Sequence, residues 1–242
     1  NGGSYVAYIF GGGESTAATA RSVDFNGSNQ WLSLDGSTDL AFGTGDFTVE
    51  MWINPDNVSS SPLEILLGTG GNTSTTFFLH YDIDQLSVGT GTAFILNCPT
   101  TFSTGQWYHV AASRSGGVLK IFKNGIELGS TSDSTNYTSQ TPIQIARAPG
   151  GQYFNGQLSN LRVVKGTAVY TSSFKPSTTP LTAITNTKLL CCNNSSVTGS
   201  TVTPGTITAT GSPTASTDSP FDDPAGFKFG EGGDQNIIKC GS

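Results

Sequence analysis

Hydrophobic and polar positions alternate in short runs along most of this chain, with a period of two. In DFTVEMWI (46–53), Phe47, Val49, Met51 and Ile53 share one face, and Thr48, Glu50 and Trp52 share the other. That is the pattern of a strand laid with one side against a core. Further strand-like runs are RSVDF (21–25), QWLSL (30–34), EILLG (64–68), TFFLHYD (76–82), QLSVG (85–89) and TAFIL (92–96). WYHVAAS (107–113), VLKIFKNGIELGS (118–130), PIQIA (142–146), GQLSNLRVVK (156–165) and TKLLCC (187–192) follow. A turn centred on Asn26-Gly27 separates the first two runs, and Lys123-Asn124-Gly125-Ile126 predicts a type I′ hairpin. No stretch sustains a helical period, which excludes α/β winding. The fold class expected is all-β: an antiparallel β-sandwich of jelly-roll type.

Two segments carry weaker patterns. Residues 195–224, SSVTGSTVTPGTITATGSPTASTDSPFDDP, have the composition of a Ser/Thr/Pro linker. Thr206, Ile207, Thr208, Ala209 and Thr210 within them also favour a strand, and both readings stand. KGTAVYTSSFKP (165–176) is too short and too β-branched for a stable helix. It reads as one irregular turn that plugs Val169, Tyr170 and Phe174 into the sandwich edge.

Composition narrows the partners. Charged residues make up only 12% of the 242 residues, about half the usual share of roughly 25%. Net charge is −6 and the eleven basic residues are scattered, so tight nucleic-acid binding by phosphate neutralisation is excluded. No apolar run approaches the roughly 20 residues of a membrane-spanning helix, and no membrane insertion is expected. An acidic surface repels anionic glycans, which favours neutral or Ca²⁺-bridged sugars. The four cysteines, Cys98, Cys191, Cys192 and Cys240, are spaced poorly for two bridges and read as free thiols. On a strand, adjacent Cys191 and Cys192 would point to opposite faces, one buried and one exposed.

The order of SVDFNGSNQWLSL, DFTVEMWINP, GQWYHVAASR, LKIFKNG and GQLSNLRVVKGTAVYTSSF resembles the laminin-G-like branch of the concanavalin A-like lectin/glucanase superfamily. The matching blocks include Trp107 to Ala111, Ile121 to Gly125 and Gly156 to Val164. The run SNLRVVKGTAVYTSSFKP, followed by PLTAITNTKLL (180–190), is similar to laminin-G-like domains in structural proteins of marine, cyanophage-type bacteriophages, tail fibres above all. SYVAYIF near the start and FGEGGDQNIIKCGS at the end resemble two halves of a small repeat module in such proteins. The resemblance implies three parts. Residues 1–20 and 221–242 form a small β frame, in which 5–10 pair with 235–240, and a jelly roll of residues 21–220 is inserted between them.

Candidate chemistry is sparse. Glucanases of this superfamily use a strand of alternating carboxylates, and none of the five Glu here has an acid two residues on, so no catalytic residue is assigned. His80, Asp82 and Asp84 would share one strand face. His109 reads as a satisfied sandwich histidine, and Trp52 and Trp107 as core. No GxSxG elbow is present, and the GGG at 11–13 lacks the Lys-Ser/Thr of a phosphate loop. Laminin-G-like relatives imply a Ca²⁺ ion on a rim loop, for which Asp82 and Asp84 are candidates, as are Asp222 and Asp223. No other cofactor is expected. Glycan sites pair an aromatic platform with amide and charged groups. The loop candidates are Asn136 and Tyr137 in SDSTNYTSQ, and Arg147, Tyr153 and Asn155 in ARAPGGQYFNGQ.

The function these features imply is non-enzymatic: a virion structural or adhesion module, part of a phage tail fibre or appendage. Its partners would be host surface glycans and other virion or fibre subunits, with a homotrimer the expected assembly and the virion its location. A secreted bacterial adhesin of the same fold is the alternative. A polysaccharide hydrolase is the third reading, and the missing carboxylate motif speaks against it.

Overall fold

A computed structural model describes residues 21–58, 64–82, 84–138 and 143–221. The predicted terminal frame, Cys240, Asp222 and Asp223 lie outside the described residues. Sixteen strands are described. The first eight are β1 (Ser22–Asn26), β2 (Trp31–Leu34), β3 (Phe47–Pro55), β4 (Glu64–Gly68), β5 (Phe78–Asp82), β6 (Gln85–Gly89), β7 (Phe94–Pro99) and β8 (Tyr108–Ser115). The rest are β9 (Val118–Lys123), β10 (Ile126–Ser132), β11 (Ile143–Ile145), β12 (Asn155–Lys165), β13 (Thr187–Cys191), β14 (Ser200–Val202), β15 (Ile207–Thr210) and β16 (Thr214–Ser216). They form two antiparallel sheets, as the alternation predicts. The first has the order β10-β9-β8-β3-β12-β1-β16, with β13 also on β12 and β14 on β13. The second has the order β15-β2-β11-β4-β5-β6-β7.

The inward faces meet in one core. Phe47, Val49, Met51 and Ile53 of β3 are all fully buried in it, beside Val110, Ile121, Leu158 and Val163 of the same sheet. Leu32, Leu67, Leu79, Leu86, Val88 and Ile145 face them from the second sheet. Long β12 serves two neighbours on one side: its first half pairs with β1 and its second half with β13. The predicted hairpin forms, with Asn124 at φ 50° and Gly125 at φ 76°, the left-handed pair that a type I′ turn requires.

Two expectations change and two readings are sharpened. The Asn26-Gly27 turn forms and joins the two sheets, since β1 lies in the first and β2 in the second; Asn26 Oδ1 accepts from the Ser28 and Asn29 amides and turns the chain between layers. The Ser/Thr/Pro segment supplies three short strands, β14, β15 and β16. Cys192 is as buried as Cys191, since the chain leaves the strand there with φ 56° and both thiols turn inward, 3.9 Å apart; Cys98, Cys191 and Cys192 are free. Trp52 lies on the outer face of the first sheet, edge-on to His109 and Phe221, rather than in the core.

The 165–176 turn also covers that outer face rather than plugging the edge. Tyr170 and Phe174 stack on each other and meet His109 and Phe122 edge-on. Beneath them sits Glu50, fully buried. Its Oε1 accepts from Arg162 Nε at 2.8 Å and Nη2 at 2.5 Å, and its Oε2 from the Tyr170 hydroxyl at 2.7 Å. His109 Nε2 lies 3.1 Å from Oε2. Burial alone would raise this carboxyl, but the His109 hydrogen bond, the Arg162 and His109 charges and the Tyr170 hydroxyl together hold it below its usual 4.5.

Glu64 shows the opposite balance. It is buried, accepts from the Tyr81 hydroxyl at 2.9 Å and from the Asn155 amide at 2.9 Å, and has no cation among these partners. Burial pushes it up to about 7; the Asp82 and Asp56 charges add to the rise, and the two hydrogen bonds only partly offset it.

Removing one partner of a buried charge pair strands the other. Arg162→Ala should therefore destabilise the protein by about 3–5 kcal/mol in chemical denaturation. The pH signs of the two acids differ. Glu50 contributes stability that is present above the unfolded value of 4.5 and lost as pH falls through its lower folded value. Glu64 contributes stability that is present below 4.5 and lost as pH rises through about 7. The unfolding free energy of wild type minus that of Glu64→Gln, followed across this range, should fall with rising pH; a flat difference would contradict the assignment.

Candidate functional site

The 165–176 turn covers the middle of the first sheet, whereas the outer face of the second sheet holds an open pocket. Alternation places Phe78 and His80 on the outer side of that sheet, since Leu79 and Tyr81 fill the core, and a β-bulge between Ile65 and Leu67 turns Ile65 outward beside Phe78. Register aligns Ile65 with His80, and His80 with Ser87. Phe94, opposite Gly89 at the start of edge strand β7, leans over His80 with ring centres 5.2 Å apart. These rings floor an open pocket of about 320 Å³, whose rim carries Asn72, Thr90, Thr92 and Gln152. Phe94 is 51% exposed and His80 only 3%. Burial lowers His80 to about 4, so the ring is neutral at physiological pH. Its Nδ1 is enclosed without a hydrogen-bond partner among the described residues.

Two loops shape the pocket. The 90–93 turn is pinned by the Gly91 amide, which donates to the Thr73 carbonyl at 2.8 Å. A side chain at Gly91 would collide with the backbone of Asn72 and Thr73, so glycine lets the two rims close on each other. The other loop, residues 146–155, leaves β11 through Ala146, which sits in the left-handed region at φ 66°. That conformation costs a non-glycine residue about 1–2 kcal/mol. Three bonds hold it: Ala146 donates to the Leu66 carbonyl at 3.1 Å, Phe154 donates to Ala146 at 3.0 Å, and Ala148 donates to Gln152 at 2.9 Å. Arg147 and Tyr153 pair across this small ribbon. Ala148 packs on Ile65 and Phe78, and Gln152 lines the pocket beside it. Arg147 and Tyr153 instead meet Trp31 of β2. The guanidinium carbon lies 4.4 Å from the Trp31 ring centre and 5.5 Å from that of Tyr153, and the two rings are 5.9 Å apart.

The predicted glycan residues are thus partly assembled. Arg147 and Tyr153 come together, half-buried, on one aromatic platform. Asn155 does not join them: it opens β12 in the first sheet and packs against Gly27. Asn136 is exposed, but Tyr137 is not a loop platform. It is fully buried, edge-on to Phe42, Phe47 and Phe77, and its hydroxyl donates to Asp133. Asp133 also holds the buried Arg114, and that ion pair draws the Ser/Thr-rich segment into the core.

Asp82 is half-buried at the end of β5 and Asp84 exposed in the turn after it. Among the described residues, no group of three or more His, Cys, Asp and Glu side chains converges on a point where a metal ion would sit. Ca²⁺ takes six to eight oxygens, and Asp82 and Asp84 gather no third carboxylate around such a point among the described residues. The sequence reading missed Trp31, Asn72, Phe94 and Gln152. The available signal was parity: Phe78 and His80 fall on the strand face opposite Leu79 and Tyr81.

The architecture has known counterparts. A structure from Bacteroides ovatus, whose assigned name proposes carbohydrate binding, aligns with a TM-score of 0.59 at 20% identity over 82% of this chain. The chain spans 60% of that protein's length. A heptameric SAP-like pentraxin from Limulus polyphemus aligns at 0.45 and 17% identity, over 63% of this chain and 78% of its own. Mouse laminin alpha1 chain domains LG4-5 align at 0.47 and 15%, over 66% of this chain and 47% of theirs. No curated protein matches the chain in sequence. The laminin G family profile described as the concanavalin A-like lectin/glucanases superfamily matches residues 26–170, more than half of the 242 residues. The chain belongs to the concanavalin A-like lectin/glucanases superfamily.

Proposed function

We propose that this domain is a non-enzymatic glycan-binding module, carried by a bacteriophage tail fibre or appendage and directed at host surface glycans. The observation that carries the glycan reading is the pocket on the outer face of the second sheet. It offers what a sugar needs: an exposed ring for the C–H face, and amides and hydroxyls at the rim for hydroxyl groups. Its lining includes no Asp or Glu. Glycoside hydrolysis needs two carboxyls flanking the bond, so this pocket is suited to holding a sugar rather than cutting it. The likeness in fold to the Bacteroides ovatus protein agrees with a sugar ligand. The virion setting rests on the resemblance of SNLRVVKGTAVYTSSFKP to phage structural proteins.

The test is a glycan array with the 242-residue chain, paired with competition of phage adsorption to host cells. Wild type should bind a host polysaccharide and compete for adsorption. Phe94→Ala should weaken binding about tenfold, the equivalent of one lost ring contact, with little change in melting temperature because the ring is half exposed. Gly91→Ala should weaken binding by forcing the two rim loops apart. Binding without competition would favour the bacterial adhesin. No binding to any host polysaccharide would overturn the glycan reading.

A further inference from the structure

We infer that the Arg147 guanidinium is a receptor for the carboxylate of an acidic sugar, so that this face takes a carboxylated, uronate-type glycan rather than a neutral one. The inference rests on the glycan-binding reading and names its ligand class.

Three arginines show the contrast. Arg114 is bound by Asp133 and by the carbonyls of Gly43, Gly45 and Thr135. Arg162 is bound by Glu50 and the Thr182 carbonyl. Arg147 has no carboxylate or carbonyl acceptor among the described residues, and its Nε is enclosed and unpaired. A guanidinium carries five donors in a fixed planar fork, and a half-buried one left without acceptors is costly. Nε is the enclosed atom, so the terminal amino groups are the ones open to solvent. The guanidinium lies over the Trp31 ring and beside that of Tyr153, and these two contacts hold it on the platform. A carboxylate accepts from such a fork through two parallel bonds.

The surroundings supply the rest of a sugar site. Trp31 and Tyr153 are ring faces beside the charge, and Ala148 and Gln152, next in sequence to Arg147 and Tyr153, line the pocket. The net charge of −6 opposes anions at long range. That repulsion is screened within about 8 Å at physiological ionic strength, so the contact pair decides. This reverses the expectation that neutral sugars are preferred.

The experiment measures affinity for uronate-containing oligosaccharides and for the same oligosaccharides after carboxyl reduction. Wild type should bind the carboxylated form roughly 10- to 100-fold more tightly. Arg147→Gln should abolish that preference, so that the carboxylated and reduced forms bind equally, while Arg147→Lys should keep part of it. Equal affinity of wild type for both forms, or a preference that survives Arg147→Gln, would overturn the inference and leave the glycan reading intact. If neither form binds, the glycan reading fails, and the anion receptor is then judged by a titration of glucuronate against glucose. A shift of the Arg147 side-chain NMR signal with glucuronate alone would uphold it; no shift would overturn it.

Discussion

The buried carboxylate of Glu50 is the interaction on which the layout of this domain turns. It lies on β3, in the middle of the first sheet, on the face turned away from the core. A lone charge there would be expensive. Arg162 from β12, His109 from β8 and Tyr170 from the covering turn all converge on it. One carboxylate thereby ties three neighbouring elements together and fastens residues 165–176 across the sheet. The stacked rings of Tyr170 and Phe174 close the surface above it. The middle of the first sheet is thus covered on both sides, by the core and by its own chain.

The second sheet has the opposite character. Its outer face carries rings, a neutral histidine and small polar side chains, and two loops rise around them without covering them. Ala146 bears a left-handed backbone so that the 147–153 ribbon can stand out from β11, with Ala148 and Gln152 on one side and Arg147 and Tyr153 on the other. Polar groups at both places are left without protein partners: His80 Nδ1 in the pocket and Arg147 Nε on the platform.

The layers and most strands were readable because alternation is local. Phe47, Val49, Met51 and Ile53 announce a core face within eight residues, and Asn124-Gly125 announces its turn within two. What failed was whatever depends on distant partners. The burial of Glu50 has no local sign, because Arg162 lies 112 positions away. Tyr137 sits in a Ser/Thr-rich run that reads as a loop, yet Asp133 and Arg114 pull it under Phe42. Asn26-Gly27 is a good turn in either topology, and nothing local says that the chain changes sheets there. The site divided along the same line. Arg147 and Tyr153 are near in sequence and were found, whereas Trp31, Asn72 and Phe94 come from three other segments and were not.

The central claim is that ligand binding belongs to the outer face of the second sheet. Amide chemical-shift mapping during titration with oligosaccharides of the host surface polysaccharide tests it most directly. The account predicts that the shifted amides cluster at residues 72, 80, 90–94 and 147–153. Shifts gathered instead around Tyr170 on the first sheet, or around Asp82 and Asp84 on the rim, would contradict it.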